Sequence, residues 1–249
     1  MPFLTVPGGQ IHYEVEGEGY PVLLFAPGFL SSRIERWRSN PAKPGVAQDW
    51  ADPIPVLSPH FKVVSLDVRN AGESRVAIRP NDDWSSYTAD HLALLAHLGI
   101  TRCHVMGACI GVSFGFSLAE AKPGLVTSLV LQNPIGLSGN RATVQGEYDE
   151  WAATVGAWPG VDAALLPAMG QRMFGGDFLY SVSRDVVAGC KLPVLLMPGD
   201  DQMHPVETSA DIARLAPQTE VLSPWKGAQY REAAIQRVLQ FFIEHRPGG

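Results

Sequence analysis

The chain has 249 residues, of which 46% are hydrophobic and 18% charged, a composition typical of a globular protein of about one α/β domain. Its net charge of −6 has no long run of one sign, which argues against a nucleic-acid partner, because such partners bind clustered Lys and Arg. No apolar run approaches the roughly 18 residues of a membrane span, and no signal-peptide pattern opens the sequence. Three cysteines form no disulfide framework, so the cytoplasm is the expected location.

Short apolar runs rich in β-branched residues alternate with helical patterns along the chain. This alternation is typical of an α/β fold with a mostly parallel sheet and helices on both faces. The later strands are apolar throughout, as expected where helices cover both sides. Eight strands are predicted, at residues 2–6, 10–17, 21–28, 61–68, 103–107, 127–134, 193–199 and 220–225. Helices are predicted within 86–99, 110–121, 204–217 and 231–245.

Two regions depart from this alternation. Residues 40–59 hold five prolines and are predicted to form an extended insertion. Residues 137–185 lie between the sixth and seventh strands and carry several aromatic side chains, among them Trp151 and Phe174. We expect this segment, called the lid segment below, to form two or three short helices within a single domain that spans residues 1–249.

The stretch His-Val-Met-Gly-Ala-Cys-Ile-Gly, which begins at His104, predicts a strand that turns sharply into a helix at Cys109. Gly107 and Gly111 flank the cysteine at two residues on either side, so that strand and helix can pass closely. The turn lifts the sulfur to the carboxyl end of the sheet, above a helix N-terminus that favours a thiolate. A buried cysteine in a tight turn is the alternative interpretation of this short pattern.

This turn and three further segments resemble the α/β-hydrolase superfamily over nearly the whole chain. Residues 27–29 are similar to the loop that supplies the family's first oxyanion donor, and residues 67–74 to its Asp-x-Arg-Gly-x-Gly-x-Ser turn. Residues 195–205 are similar to the strand end that carries the family's acid, four residues before a proline, which favours Asp201 over Asp200.

The resemblance implies an α/β-hydrolase fold and a catalytic role for the residue at the turn. It places Cys109 as the nucleophile, a substitution that dienelactone hydrolases show the fold to accept. The backbone N–H groups of Phe29 and Ile110 are then the expected oxyanion donors.

The chain departs from the family where the catalytic histidine normally follows the last strand. Residues 223–234 contain no histidine, and Lys226 lies in that window. Of the seven histidines, only His204 is expected at the carboxyl edge of the sheet, three residues after Asp201. An Asp-x-x-His turn lets the carboxylate hold one ring nitrogen while the other faces the thiol. Lys226 is the alternative base, or a cation that holds the thiolate or a substrate carboxylate.

These residues predict a hydrolase that acts on a small, largely apolar ester, lactone or thioester. Cys109 would form an acyl-enzyme, with His204 and Asp201 as base and acid, and Trp151, Phe174 and Lys226 would contact the substrate. Neither a cofactor nor a metal is expected. Arg33, Glu35 and Arg36 are expected on a solvated helix face, with contact to the pocket as the alternative. Two other functions remain open: a non-catalytic binding protein for a small ligand, and a carbon–carbon bond hydrolase or acyltransferase.

Overall fold

The computed structural model describes residues 2–39 and 45–248, which fold around one twisted sheet. Six neighbouring strands run parallel, and the first two strands and a short fifth strand pair in antiparallel fashion at one side. The strands in the described residues are Phe3–Val6 (β1), Gly9–Glu16 (β2), Pro21–Phe25 (β3), Lys62–Leu66 (β4), Arg75–Val76 (β5), Cys103–Ala108 (β6), Val126–Gln132 (β7), Val194–Met197 (β8) and Thr219–Val221 (β9). Their spatial order is β1-β2-β4-β3-β6-β7-β8-β9, with β5 beside β2.

The fold class predicted from the sequence is confirmed, and all eight predicted strands are present. The sheet has one strand more than predicted, because β5 is only two residues long and pairs with the start of β2. So short a strand leaves no apolar alternation that a sequence pattern could detect.

Helices cover both faces of the sheet. Those in the described residues are Pro53–Leu57 (α1), Trp84–His97 (α2), Gly111–Ala121 (α3), Arg141–Gly156 (α4), Leu166–Met173 (α5), Arg184–Gly189 (α6), Val206–Leu215 (α7) and Arg231–Glu244 (α8), with 3-10 turns at Phe29–Ser31, Ile34–Trp37 and Ala163–Leu165. Among these helices, none has both the length and the apolar character that crossing a bilayer requires.

Two hydrophobic clusters form the core, one on each face of the sheet. Alternate side chains of β3 enter different clusters: Val22 and Leu24 pack on the side of α1 and α8, whereas Leu23 and Phe25 pack on the side of α2 and α3. Because successive strand residues point to opposite faces, a strand buried on both sides is apolar at most of its positions. This explains the mostly apolar runs of the central strands.

The proline-rich insertion differs from its prediction. Residues 40–44 of the expected extended segment lie outside the described residues, but Pro53–Leu57 forms helix α1 rather than extended chain. Asp52 accepts a hydrogen bond from the backbone N–H of Ile54 at 3.0 Å and caps this helix. Proline in the first helical turn has no N–H to leave unsatisfied, so Pro53 begins the helix without cost.

The lid segment contains α4, α5 and the start of α6. Helix α4 has 16 residues and packs against the turn Phe29–Ser31 at the carboxyl edge of the sheet. The indole Nε1 of Trp84, at the start of α2, donates a hydrogen bond to the carbonyl of Met173 at 2.6 Å. The lid segment therefore lies over the edge at which β6 turns into α3.

Candidate active site

Cys109 sits between β6 and α3 with a left-handed backbone, φ 55°. A non-glycine residue pays a conformational cost in this region, so the surrounding contacts must hold it there. The backbone N–H of Cys109 donates to the carbonyl of Gln132 at 3.0 Å, which ties the turn to the end of β7.

Both flanking positions must be glycine, because neighbouring atoms approach their Cα atoms too closely for a side chain. A Cβ atom at Gly107 would lie 2.1 Å from the carbonyl oxygen of Gly111, and a Cβ atom at Gly111 would lie 2.6 Å from Cβ of Phe25. These separations are far inside van der Waals contact. The structure thus has the strand-turn-helix that the two glycines predict.

The sulfur at the turn is more enclosed than expected. Cys109 exposes only 4% of its surface, although the turn was expected to lift the thiol to an accessible edge. Aromatic residues cover the area: Phe174 stacks on Phe29 with ring centroids 5.8 Å apart, and Tyr180 lies 5.7 Å from Phe29. Phe29 belongs to the loop beside the thiol, so the lid segment closes over the nucleophile position.

His204 and Asp201 form a compact turn after β8. Nδ1 of His204 lies 2.8 Å and 3.0 Å from the two carboxylate oxygens of Asp201, and the backbone N–H of His204 donates to the same carboxylate at 2.9 Å. Gly199 allows the chain to fold back, because a Cβ there would lie 2.4 Å from the His204 carbonyl oxygen. The carboxylate therefore fixes one ring nitrogen of His204, as an Asp-x-x-His turn predicts.

The other ring nitrogen, Nε2, is buried on the side of Cys109. It forms no hydrogen bond of ordinary geometry with any described residue, yet the two side chains lie close enough to shift each other's pKa. The structure thus brings Cys109, His204 and Asp201 together in one place.

The pKa values of Cys109 and His204 are shifted in opposite directions. Burial acts to raise the pKa of the Cys109 thiol, but the charge and close approach of the His204 imidazole, and the N–H groups of Phe29 and Gly28, outweigh it and lower the pKa. Burial likewise acts to lower the pKa of His204, but the charge of Cys109 and the hydrogen bond that Nδ1 donates to Asp201 raise it to about 9. Both shifts favour the form of the pair in which Cys109 is a thiolate and His204 an imidazolium.

Asp201 is held as a carboxylate. Burial acts to raise its pKa, but the hydrogen bond and charge of His204 and the charge of Lys226 hold the pKa well below the usual range. The acid can therefore orient the imidazole and stabilise its charged form without taking up a proton itself.

The loop before the lid supplies hydrogen-bond donors at the sulfur. The N–H groups of Gly28 and Phe29 reach Cys109, and both residues have positive φ, 122° and 52°. Ile110 follows the cysteine and caps the N-terminus of α3, where backbone N–H groups are unsatisfied. The sequence predicts Phe29 and Ile110 as donors, and the structure adds Gly28 as a further residue whose N–H reaches the sulfur.

Lys226 lies at the position where the resemblance expects a histidine, and it contacts the acid pair instead. Its ammonium group forms an ion pair with Asp200 and lies 3.7 Å from Asp201 Oδ2. The structure thus places Lys226 against Asp200 and Asp201, and its contribution to the site is positive charge beside the acid.

Trp151 and Phe174, the expected substrate contacts, occupy different parts of the lid. Trp151 is 5% exposed and directs its indole N–H to the carbonyl of Asn70 at 3.4 Å. Phe174 lines a cleft of about 710 Å³ between α4 and α5. Tyr180, whose buried hydroxyl has no partner among the described residues, lies closer to the thiol: burial and the charge of Cys109 both raise its pKa.

Other histidines in the described residues have structural surroundings. His12 pairs with Asp67 at 3.1 Å, His104 hydrogen-bonds Ser128 at 2.8 Å, and His91 packs between Phe25 and Phe114. Burial lowers the pKa of both His91 and His104 to about 3, so both are neutral.

Residues 21–188 match the family model described as the alpha/beta hydrolase fold. RutD of Pseudomonas savastanoi pv. phaseolicola, named as a carbamate hydrolase, is 35% identical over 220 residues, which cover 81% of this chain and 82% of that protein. RutD of Pantoea ananatis is 39% identical over 85 residues, so that match spans 34% of this chain and 30% of the relative's length.

Solved structures share the architecture at low sequence identity. The meta-cleavage product hydrolase CumD of Pseudomonas fluorescens IP01 superposes with a TM-score of 0.70 at 18% identity, covering 99% of this chain and 98% of that one. The enol-lactonase of Burkholderia xenovorans LB400 gives 0.68 at 18% identity, with 97% and 100% covered. At this identity the similarity shows the fold alone.

Proposed function

Because the chain belongs to the α/β-hydrolase fold family, we propose that it hydrolyses a small, largely apolar ester, lactone or thioester with Cys109 as nucleophile. The observation that carries this proposal is the grouping of Cys109, His204 and Asp201, in which the pKa of the thiol is lowered and that of the imidazole raised. A thiolate attacks a carbonyl without prior proton removal, so the pair is prepared for the first step.

In the first step the sulfur of Cys109 forms a bond to the carbonyl carbon, and the carbonyl π electrons move onto oxygen. The N–H groups of Phe29 and Ile110 hold that oxyanion. When the oxyanion collapses, the bond to the leaving group breaks and the imidazolium of His204 gives its Nε2 proton to the departing oxygen or sulfur. The products are a thioester on Cys109 and a free alcohol or thiol.

In the second step His204 is neutral and takes a proton from water as the water oxygen attacks the thioester carbon. The carbon–sulfur bond breaks, the carboxylic acid leaves, and the proton remains on His204, which restores the thiolate–imidazolium pair. Asp201 keeps Nδ1 fixed throughout and stabilises each imidazolium. A positioned base of this kind contributes about 10²–10⁴ in rate.

The apolar part of the substrate is proposed to lie under the lid segment, against Phe174 and Trp151. Lys226 contributes in this scheme by holding Asp200 and Asp201, since its ammonium already contacts both carboxylates. The cytoplasm is the proposed compartment, because a thiol nucleophile stays reduced there. The relative from Pseudomonas savastanoi pv. phaseolicola, which is 35% identical, is named as a carbamate hydrolase, and this supports hydrolysis at an acyl carbon.

Intact-mass analysis with a panel of activated esters and lactones tests the proposal. The expected result is an acyl adduct on Cys109 that turns over in the wild type and accumulates in His204→Gln, because deacylation then lacks its base. Cys109→Ala is expected to lose adduct and turnover. Cys190→Ala, which removes a partly buried cysteine outside the site, is the control and should keep both. Full turnover in Cys109→Ala would rule the mechanism out.

A non-catalytic binding protein remains the second candidate, supported by the absence of histidine in residues 223–234. The same experiment separates the two functions. Binding without any adduct, across the whole panel and in every variant, would favour the binding protein.

A further inference from the structure

Arg36 lies next to the reacting group. It belongs to the 3-10 turn Ile34–Trp37, which follows the loop that carries Gly28 and Phe29. Its side chain packs directly on Gly28: a Cβ atom there would lie 3.3 Å from Nε of Arg36 and 3.4 Å from its Cγ. The N–H of Gly28 reaches the Cys109 sulfur, so Gly28 contacts both Arg36 and the candidate nucleophile.

The guanidinium of Arg36 forms no ion pair within 4.0 Å with any residue that the structure describes. The neighbouring arginines do have one: Arg33 pairs with Glu35 at 3.0 Å, and Arg38 pairs with Asp52 at 3.0 Å. Nε of Arg36 is buried and has no acceptor within the described chain. Burying part of a charge without a partner costs free energy, so an anion that enters beside Arg36 would recover that cost.

A cavity of about 430 Å³ opens beside this side chain, which is within the size range of small-ligand sites. Arg33 and Arg36 line one wall, and Glu147, Glu150 and Trp151 of helix α4 line the opposite wall. The cavity thus lies between helix α4 of the lid segment and the turn that follows the oxyanion loop. An acyl chain attached at Cys109 would have to pass Gly28 to place its far end at Arg36.

Glu147 is the competing partner for Arg36. Burial and the charge of Arg33 lower the pKa of Arg36, and the charges of Glu35, Glu147 and Cys109 act in the opposite direction. Neither Glu147 nor Glu150 lies within 4.0 Å of Arg36, and both side chains are exposed. Glu147 can therefore attract Arg36 across the cavity but does not occupy its donors.

We propose that Arg36 binds a carboxylate at the far end of the acyl group, so that the substrate is an anionic ester or lactone derived from a dicarboxylic acid. This inference rests on the proposed hydrolysis at Cys109 and names its substrate class. The planar guanidinium matches a carboxylate with two parallel hydrogen bonds. Lys226, the cation expected from the sequence to take this role, is held by Asp200 and Asp201.

Two esters with matched acyl chains test the inference. Mono-p-nitrophenyl glutarate and p-nitrophenyl pentanoate have acyl chains of five carbons and differ in a terminal carboxylate against a methyl group. The measured quantity is the ratio of kcat/KM for the anionic ester to that for the neutral ester. Arg36→Met is expected to lower this ratio about 10- to 100-fold, as for loss of a hydrogen bond to a charged group.

Three further variants make the result specific to Arg36. Arg38→Met removes a nearby charge that lies outside the cavity and should leave the ratio unchanged. Arg36→Lys keeps the charge, so its ratio should lie between that of the wild type and that of Arg36→Met. Glu147→Gln removes the competing carboxylate and should raise the ratio or leave it unchanged. An unchanged ratio in Arg36→Met would overturn the inference. An equal fall in kcat/KM for both esters in Arg36→Met and in Glu147→Gln would also overturn it. That pattern would mean that Arg36 and Glu147 only keep helix α4 in place.

A binding measurement separates failure of the inference from failure of the proposed function. Glutarate is expected to protect Cys109 from iodoacetamide in the wild type and not in Arg36→Met. If neither ester is turned over but this protection is found, the anion site stands and the hydrolysis fails. If the esters are turned over with equal ratios and glutarate gives no protection, the hydrolysis stands and the anion site fails.

Discussion

Two opposing effects set the pKa of the Cys109 thiol. Burial disfavours the thiolate, whereas the imidazolium of His204 and the N–H groups of Gly28 and Phe29 favour it, and the second effect is larger. The lowered pKa of the Cys109 thiol therefore depends on its neighbours more than on its position at the turn. Removing His204 leaves the thiol in a site where burial dominates.

The pH dependence of alkylation follows from this balance. In the wild type, the rate of Cys109 alkylation by iodoacetamide is expected to rise with an apparent pKa below 9.0, the ordinary value for the thiol. In His204→Gln the apparent pKa should move above that value, because burial then acts without its counter-charge. Mass spectrometry of the Cys109 peptide against pH gives the profile. Cys190, whose pKa burial raises, serves as the internal control, and a wild-type midpoint at 9.0 or higher would contradict the expectation.

His204 should respond in turn to the loss of the thiolate. The charge of Cys109 is the largest contribution that raises the pKa of His204 to about 9, so Cys109→Ala is expected to lower that pKa. An NMR titration of the imidazole measures the shift, with Cys103→Ala, a buried cysteine at the start of β6, as the matched control. A pKa that stays at about 9 in Cys109→Ala would mean that Asp201 alone sustains it.

At the level of residues, contacts between side chains close in the sequence were predictable, whereas contacts between distant segments were not. The pairing of Asp201 with His204 spans three residues and is fixed by one turn, so its spacing predicts it. Arg36 was expected on a solvated face, because nothing in the sequence shows that its side chain packs on Gly28 beneath helix α4. The contact depends on how the loop folds over the β6–α3 turn.

At the level of elements, the turn from β6 into α3 depends on the absence of a side chain at Gly107. Gly107→Ala is expected to destabilise the fold by about 3 kcal/mol, because the new Cβ would lie 2.1 Å from the Gly111 carbonyl oxygen. Gly146→Ala is the matched control: no atom lies within 4 Å of its Cβ position, and alanine in the interior of α4 should add about 0.5–1 kcal/mol. Urea unfolding measures both, and equal effects would contradict the steric argument.

The strands were predictable because burial on both faces favours apolar residues at successive positions: β3 and β8 are apolar throughout, and β4, β6 and β7 are mostly apolar. Helix α1 was not predictable from composition, since its prolines were interpreted as a sign of extended chain. The fold places them in the first turns of a capped helix. The lid helices pack by long-range contacts, such as that of Trp84 with Met173, which no local pattern encodes.

At the level of the whole molecule, a buried ionic network joins α2 to the lid segment. Arg69 pairs with Asp90 at 2.8 Å and with Asp82 at 3.3 Å, and Arg172 of α5 donates to the carbonyl oxygen of Asp82 at 3.1 Å. Asp82 is 2% exposed. This network therefore connects helix α2, which packs on the sheet, to helix α5 of the lid segment.

Lowering the pH should destabilise the fold, because Asp82 becomes protonated. Burial acts to raise its pKa, but hydrogen bonds from Arg79 and Ser86 and the charge of Arg69 lower it below 3.8, so its stabilising effect is present above that value and lost as the pH falls below it. Asp82→Asn is expected to cost about 3 kcal/mol near pH 7 and less at about pH 3. Urea unfolding at both pH values measures the difference. A cost that does not shrink in acid would contradict the assignment.

The proposed acid Asp201 and the proposed base His204 lie three positions apart in one turn, so the distance between them is set by local backbone and not by the docking of the C-terminal helix. Thermal fraying of α8, which shifts a base carried after the last strand, leaves the Asp201–His204 separation intact. The proposed chemistry should accordingly persist at temperatures where the end of the chain has already begun to loosen.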